Sequence, residues 1–218
     1  MRESHGLFVS PLFPTKSLWR YRMVLARRAV PLLSAFALLA GCAGTNFVRP
    51  APNAFSLGKA TQAQVIEQLG EPLGRGTMAK NEANIDFIRY AYAATGGEPL
   101  EEGVIPARAM VFFFTNGVLV GEDFASSFKS DHSNFDDTKV PSIVKGQSTR
   151  ADVIRLLGPP TGRYIPPVVK ATSGEAVGYS YGTTRGSAFT GLKVAKKALI
   201  VSFDEKGQVS NLEFTSTK

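Results

Sequence analysis

Few side chains in this sequence could act as nucleophiles, general bases or metal ligands. The 218 residues include two histidines and one cysteine, too few for a zinc or iron–sulfur site, which takes about four such ligands. The cysteine, Cys42, follows an apolar run, residues 29–40, that is itself preceded by a basic stretch. This order is typical of a secretory signal peptide, and the run is shorter than the roughly 20 residues of a membrane-spanning helix. The order of these segments therefore indicates an exported protein whose signal peptide is cleaved at Cys42.

The residues around this cysteine, Leu39-Ala40-Gly41-Cys42, resemble the lipobox of bacterial lipoproteins. The resemblance implies that the Cys42 thiol is lipidated, that the chain is cut before it and that the new amino group is acylated. Several acyl chains hold a protein firmly on a membrane, whereas one chain gives marginal binding. We therefore expect residues 1–41 to be a lipoprotein signal peptide, and no cofactor other than the covalent lipid. The alternative is an ordinary secretory signal followed by a free or buried cysteine.

The two flanks of the signal carry further expectations. The residues before Met23 are unlike an ordinary signal, whereas a start at Met23 gives a compact one, with two arginines before the apolar run. The residue after Cys42 is Ala43 rather than the Asp that commonly retains lipoproteins in the inner membrane. In a bacterium with two membranes, we therefore expect a lipid-anchored outer-membrane protein whose domain faces the periplasm.

The high net charge belongs mostly to the predicted signal. The chain has 25 basic and 18 acidic residues, a net charge of +7. Residues 1–41 hold six of the basic and one of the acidic residues, which leaves 19 and 17, or +2, for the rest. A charge of this size gives no support for a nucleic-acid partner, which needs a basic surface.

Two polar segments contain the remaining residue types that catalysis uses. His132 has Ser133 and Asp136 close to it in sequence, but the members of a catalytic triad are normally fixed by separate parts of a rigid scaffold. Residues 96–103 contain three glutamates among Gly and Pro, a composition typical of a solvated loop. We predict a solvated connection and a solvated loop, and we do not expect an enzyme.

A basic and partly apolar segment lies in residues 182–197. It contains the residues that we select as a possible contact with a membrane or a partner: Arg185, Phe189, Lys193, Lys196 and Lys197. Each cation near an anionic bilayer contributes about 1 kcal/mol to binding. The segment therefore predicts a hairpin that touches anionic lipid or an acidic partner; the alternative is an ordinary solvated hairpin.

The elements that must position these residues occur twice, because the sequence repeats itself. Residues 58–72 and 146–160 share eight of 15 positions without a gap. Farther along, Tyr90 corresponds to Tyr179, and Phe124 to Phe214, in the same order. Ordered matches over several elements indicate a tandem duplication.

Each copy predicts a short helix and then strands. Thr61 and Thr149 begin capping-box patterns, and a Gly followed by a Pro ends each helix. Alternating apolar residues predict three strands in each copy: 85–92, 108–115, 118–124, 177–181, 197–204 and 208–214. Asn116-Gly117 predicts a two-residue hairpin turn. The expected fold is α+β: two tandem copies of a short helix followed by a three-stranded antiparallel meander, packed together.

The stretch of Gly, Thr, Val, Leu-Gly and Pro within residues 144–160 resembles the signature of the SmpA/OmlA family. That family includes a small outer-membrane lipoprotein of the β-barrel assembly machinery, and the duplicated form resembles the β-lactamase-inhibitor-protein fold with its concave sheet. The expected organisation follows from this resemblance and from the repeat. It comprises a tether (42–54), a first SmpA/OmlA-like repeat (55–124), a connection (125–141) and a second repeat (142–218).

The expected function is that of a non-catalytic interaction module. The resemblance implies a role in assembly or maintenance of the cell envelope, including its barrel proteins, with an envelope protein as partner and the membrane bound through Cys42. The alternative is a periplasmic inhibitor or small-ligand-binding module that uses a concave sheet.

Overall fold

The computed structural model describes residues 44–94, 96–170, 174–187 and 189–217. The predicted signal peptide, Met23 and the predicted lipidation site Cys42 lie outside these ranges. Within them, none of the helices combines the length and the apolar character that crossing a membrane requires.

Eight antiparallel strands form one sheet in which every strand pairs with its neighbours in chain order. Two eight-residue helices, α1 (Gln62–Leu69) and α2 (Arg150–Leu157), and one 3₁₀ helix, Asp137–Ser142, accompany the sheet. The strands are β1 Gly74–Lys80, β2 Ala83–Ala93, β3 Ala107–Thr115, β4 Val118–Ser126, β5 Gly162–Tyr164, β6 Ala176–Ser187, β7 Gly191–Phe203 and β8 Val209–Thr217.

The expected α+β class, with one helix and a three-stranded meander per copy, is wrong. The protein is mostly a curled eight-stranded antiparallel sheet with little helix, and each half contributes four strands. The two unpredicted strands have weak local signals. β1 reads Gly-Arg-Gly-Thr-Met-Ala-Lys and lacks apolar alternation, and β5 has three residues. β5 nevertheless pairs with both β4 and β6, so it joins the two halves into one sheet.

Local chemistry at the two helices follows the predicted pattern. Both capping boxes are confirmed, with Thr61 and Thr149 accepting hydrogen bonds from the third helical residue. Each helix is also fixed at its other end by a tyrosine from the sheet: the Tyr90 hydroxyl donates to the Gly70 carbonyl (2.8 Å), and the Tyr179 hydroxyl to the Gly158 carbonyl (3.0 Å). The two halves thus repeat the same helix-to-sheet contact.

Both helices pack on one face of the sheet, which we call the helix face. One core cluster lies under α1 and includes Val65 and Phe112, and a second lies under α2 and includes Val153 and Leu199. A third cluster, with Ile85, Val120 and Tyr164 among its members, lies on the opposite face. Residues 165–169 cover that cluster, where Val168 and Val169 are buried.

The sheet curls toward the face that carries Tyr164, which we call the concave face. Lys80 in β1 and Glu213 in β8 lie on this face at opposite edges of the sheet. Nevertheless, Lys80 Nζ is 3.7 Å from Glu213 Oε2. The Asn81 side chain, next to Lys80, donates to the Pro167 carbonyl (2.8 Å). Residues 165–169 are therefore enclosed between the edges and the floor of the concave face.

Three small residues let the Tyr164 ring lie flat on this floor. A Cβ atom added at Gly121 would be 2.8 Å from Tyr164 Cδ1, and one added at Gly178 would be 2.7 Å from Tyr164 Cε2. At Gly162, an added Cβ would be 2.8 Å from Asp123 Oδ1. Contacts this short exclude a side chain at all three positions, so the glycines of β4, β5 and β6 are needed for packing where the halves meet.

The segment that we expected to be a tether and the one that we expected to be a solvated connection both belong to the folded body. In the expected tether, Phe47 is 8% exposed and the Arg49 guanidinium lies 4.6 Å from the centre of the Phe124 ring. In the expected connection, Phe128 and Phe135 are buried. Burial of aromatic side chains anchors both segments, a contribution that their polar composition concealed.

Candidate functional site

The first described residue joins the sheet beside the predicted lipidation site. Gly44 forms an antiparallel bridge with Tyr92 at the end of β2. Gly44 has φ +68°, and a Cβ added there would be 2.0 Å from the Ala91 carbonyl oxygen, so this close approach requires glycine. We call this end of the sheet, where β2 and β4 finish, the anchor end.

The β6–β7 hairpin projects at the same end. β2, β4 and β6 run in one direction because each pairs antiparallel with the strand between them. Pairing of β6 with β7 continues to Ser187 and Gly191, so most of residues 182–196 is strand. The corresponding part of the first half is a loop. This loop contacts the hairpin through a backbone hydrogen bond, in which Ile105 N donates to the Thr184 carbonyl (2.8 Å).

The five residues selected from the sequence do not lie on one face of the sheet. Phe189, at the tip, is 99% exposed. Lys193 pairs directly with Arg185 in the sheet, and both lie on the helix face together with Lys197. Lys196 lies on the concave face, because residues an odd number of positions apart in a strand point to opposite sides. Three of the four cations therefore lie on the helix face and the fourth on the concave face, so the four do not form a single basic surface.

Two of these cations have internal partners. Arg185 Nη2 is 2.7 Å from Glu101 Oε2, and Arg185 Nη1 also donates to the Glu102 carbonyl. Lys197 Nζ is 2.7 Å from Asp137 Oδ1 and lies 4.8 Å from the centre of the Phe135 ring. The hydrogen bond from Lys197 lowers the pKa of Asp137. Both cations hold the fold together.

Lys193 and Lys196 are the cations that remain for a partner. Both are exposed, and across the described ranges neither forms an ion pair. A charge without an internal partner keeps its full attraction for an external one, subject to screening by salt.

The loop that contains Glu98, Glu101 and Glu102 connects the two halves instead of remaining solvated throughout. Glu101 Oε1 accepts a hydrogen bond from the Tyr181 hydroxyl (2.8 Å), while its other oxygen binds Arg185. Burial, together with the bond to Glu101, raises the pKa of the Tyr181 hydroxyl. Glu98 pairs with Lys129 at the surface. No local pattern marks Glu101, because its partners are 80 and 84 residues away.

The residues around His132 do not form a triad. His132 is exposed, whereas the Ser133 hydroxyl is buried and donates to the Ser180 carbonyl (2.7 Å). Asp131 accepts from the Ser126 hydroxyl (2.6 Å) and pairs with Arg108 (3.0 Å). These polar groups serve to hold the connection against β4 and β6.

A partly buried acid that sequence reasoning missed lies on the concave face where the halves meet. Asp123 Oδ2 accepts from the Ser180 hydroxyl (2.6 Å), and Oδ1 is buried without a hydrogen-bond partner among the described residues. Burial outweighs the hydrogen bond from Ser180 and raises the pKa of Asp123 to about 6. No local sequence pattern marks this residue, because its partner Ser180 is 57 positions away.

One cavity on the helix face contains several polar groups. It has a volume of about 220 Å³, and its lining includes Glu101, Asn134, Tyr181 and Lys197. Asn134 Oδ1 is buried and has no hydrogen-bond partner in the described ranges. Within the same ranges, no group of three or more His, Cys, Asp or Glu side chains is arranged to hold a metal ion.

Comparison with known proteins gives no match: none is found among protein families, curated proteins or solved structures. The resemblance to the SmpA/OmlA family and to the β-lactamase-inhibitor-protein fold therefore stays a prediction.

Proposed function

We propose that this protein is a lipid-anchored, non-catalytic interaction module of the bacterial outer membrane that binds an envelope protein on its concave face. The observation that carries the proposal is the position of Gly44, which is part of the sheet and follows the predicted lipidated Cys42 by two residues. Covalent geometry limits the distance between their Cα atoms to about 7 Å. A domain attached this closely stands on the membrane surface, in the periplasm, where envelope proteins assemble.

The concave face supports the second part of the proposal. Its lower part is filled by Tyr164 and residues 165–169, but toward the anchor end it is floored by Ala91, Ala109 and Ala125, all partly exposed. Small side chains leave the backbone close to solvent, so a segment of a partner can lie against the sheet. Envelope assembly, including that of barrel proteins, is the setting that the SmpA/OmlA resemblance implies.

Two experiments test this proposal separately. Mass spectrometry of the protein from membranes should find the chain starting at Cys42 with acyl groups attached; an unmodified Cys42 contradicts the anchor.

A photo-crosslinking amino acid at Ala109 should capture a defined envelope protein in living cells. The same amino acid at Glu67, which is exposed on α1, is the matched control. Identical products from both positions, or none from Ala109, contradict the concave face as partner site.

A second candidate function is binding of a small polar ligand in the cavity on the helix face, which differs from the expected alternative of an inhibitor or ligand-binding module that uses a concave sheet. The buried Asn134 Oδ1 beside the 220 Å³ cavity favours it, because an unpaired buried carbonyl gains a hydrogen bond from a ligand donor. Native mass spectrometry of the purified protein should then detect a bound small molecule that Asn134→Ala releases.

A further inference from the structure

The tip of the β6–β7 hairpin concentrates exposed apolar side chains. Phe189 is 99% exposed, Leu192 62% and Val194 47%. These are three of the nine large apolar side chains recorded as exposed in the described residues, and they lie within six positions. Single exposed apolar residues are ordinary, but a cluster at a projecting tip indicates a surface that is covered by something else.

Hydrogen bonds between Ser187 and Thr190 close the turn at the tip. Ser187 N donates to the Thr190 hydroxyl (2.9 Å), and Thr190 N donates back to the Ser187 hydroxyl (3.2 Å). Gly186 and Gly191, at the base of the turn, have φ of +101° and +77°, which a residue with a side chain rarely adopts. The Phe189 side chain projects from this turn almost fully exposed.

The charges beside the tip favour an anionic surface. Lys193 and Lys196 lie on the two sides of the hairpin, both exposed. Residues 176–203 contain no Asp or Glu, and Arg185 is already paired with Glu101. Long lysine side chains can reach a polar headgroup layer while apolar neighbours enter the layer beneath it.

We infer that the Phe189 tip inserts into the surface of the membrane that holds the anchor, so that the domain contacts the bilayer at two points. This inference rests on the proposed lipid anchor at Cys42. A lipid surface is favoured over a protein partner because Gly44 and the hairpin tip are at the same end of the sheet. The seven residues from Tyr181 to Ser187 span roughly 20 Å of strand, which lets the tip reach the bilayer.

A single tryptophan at the tip tests the inference. Trp19 is the sole tryptophan and lies in the predicted signal, so Trp19→Phe combined with Phe189→Trp gives one fluorophore. The full protein is purified from membranes and reconstituted into vesicles of phosphatidylcholine and phosphatidylglycerol. We expect the Phe189→Trp emission to shift to shorter wavelength and to be quenched by lipids brominated on the acyl chains.

The matched control is Phe214→Trp in the same background, at a 41%-exposed position in β8, and its emission should not respond to the brominated lipids. Lys193→Glu with Lys196→Glu should lower the ratio of inserted to free tip by roughly tenfold or more on anionic vesicles. On vesicles of phosphatidylcholine alone, the same pair should have little effect.

The outcomes separate the two proposals. Emission from Phe189→Trp that stays typical of water, in protein whose Cys42 carries lipid, overturns the tip inference alone. If Cys42 carries no lipid, the same protein is mixed with anionic vesicles, and absence of a shift again overturns the inference. Shielding of the tryptophan that needs a co-purified protein assigns the tip to a protein partner, and this also overturns it.

Discussion

Lys80 and Glu213 approach within 3.7 Å although they lie on the two edge strands of an eight-stranded sheet. A flat sheet would hold these edges about 33 Å apart, at about 4.7 Å for each of its strand-to-strand steps. The curl that brings them together defines the concave face, and it can be measured directly.

Cysteines at both positions should report this curl. In protein carrying Lys80→Cys and Glu213→Cys, with Cys42 replaced by Ser, we expect a short bismaleimide to link the two strands within one molecule. Lys80→Cys with Ser216→Cys is the control, because Ser216 pairs with Lys197 on the helix face. Equal linking of both pairs, measured by mass spectrometry, contradicts the concave geometry.

Breaking the ion pair where the halves meet should destabilise the protein strongly. Arg163 Nε and Nη2 both donate to Glu122 Oε1 (2.9 and 2.7 Å), and the two side chains are 19% and 12% exposed. Glu122→Ala leaves a largely buried guanidinium unpaired, so we expect a loss of about 3 kcal/mol in the free energy of unfolding by urea. Glu122→Leu with Arg163→Met, which removes both charges, should cost less than that single change; a larger cost contradicts the ion-pair explanation.

The buried Asp123 should make stability fall as pH rises. Its folded-state pKa of about 6 lies above the ordinary value of 3.8, so between these values the folded state binds more protons than the unfolded state. The contribution of Asp123 to stability is therefore greatest below pH 4, falls by roughly 2–3 kcal/mol as pH rises to 6 and stays low above that. Asp123→Asn cannot ionise, so urea unfolding at pH 4 and 7.5 should show a smaller fall. Parallel pH profiles for the two proteins would rule out Asp123 as the cause.

The glycine floor under Tyr164 should not accept a methyl group. Gly178→Ala places a Cβ 2.7 Å from the Tyr164 ring, and we expect it to lower the free energy of unfolding by about 1–3 kcal/mol. Gly182→Ala is the control on the same strand and face, because its nearest neighbours would be at 3.5 and 3.6 Å. Equal thermal unfolding temperatures for the two variants contradict the packing described here.

The repeated capping boxes should contribute equally. Thr61→Ala and Thr149→Ala each remove the side-chain acceptor at a helix start, so each should cost about 1 kcal/mol. Thr→Ser at the same positions keeps the hydroxyl and should restore most of the stability. Unequal losses, measured by circular dichroism in urea, would show that the two helices are not equivalent.

Local signals predicted the local structure. The Thr61 and Thr149 capping patterns and the Asn116-Gly117 turn, whose φ values are both positive at +51° and +76°, specify their own conformation within four residues. The strands with alternating apolar residues were found for the same reason. β1 was missed because its glycines and polar residues leave no apolar alternation, and β5 because it has three residues. These two strands change the expected α+β class into one continuous sheet.

The functional surface was only partly predictable. The exposed Phe189 and the two free lysines belong to a segment that composition alone singles out. However, the pairing of Arg185 with Glu101 and the burial of Asp123 join residues 84 and 57 positions apart. Such pairs have no local signature, because the fold and not the neighbouring sequence brings them together.

Because Gly44 is bridged to Tyr92, only two residue-to-residue steps separate the predicted lipidation site Cys42 from the sheet. With lipid on Cys42, the domain would diffuse in the plane of the membrane. Without a flexible linker, it could not move away from that membrane into the periplasm. A partner embedded in the same membrane would then be met at a high effective concentration, whereas one anchored in the opposite membrane would lie beyond reach. With that lipid in place, the glycine would limit which proteins the concave face can meet.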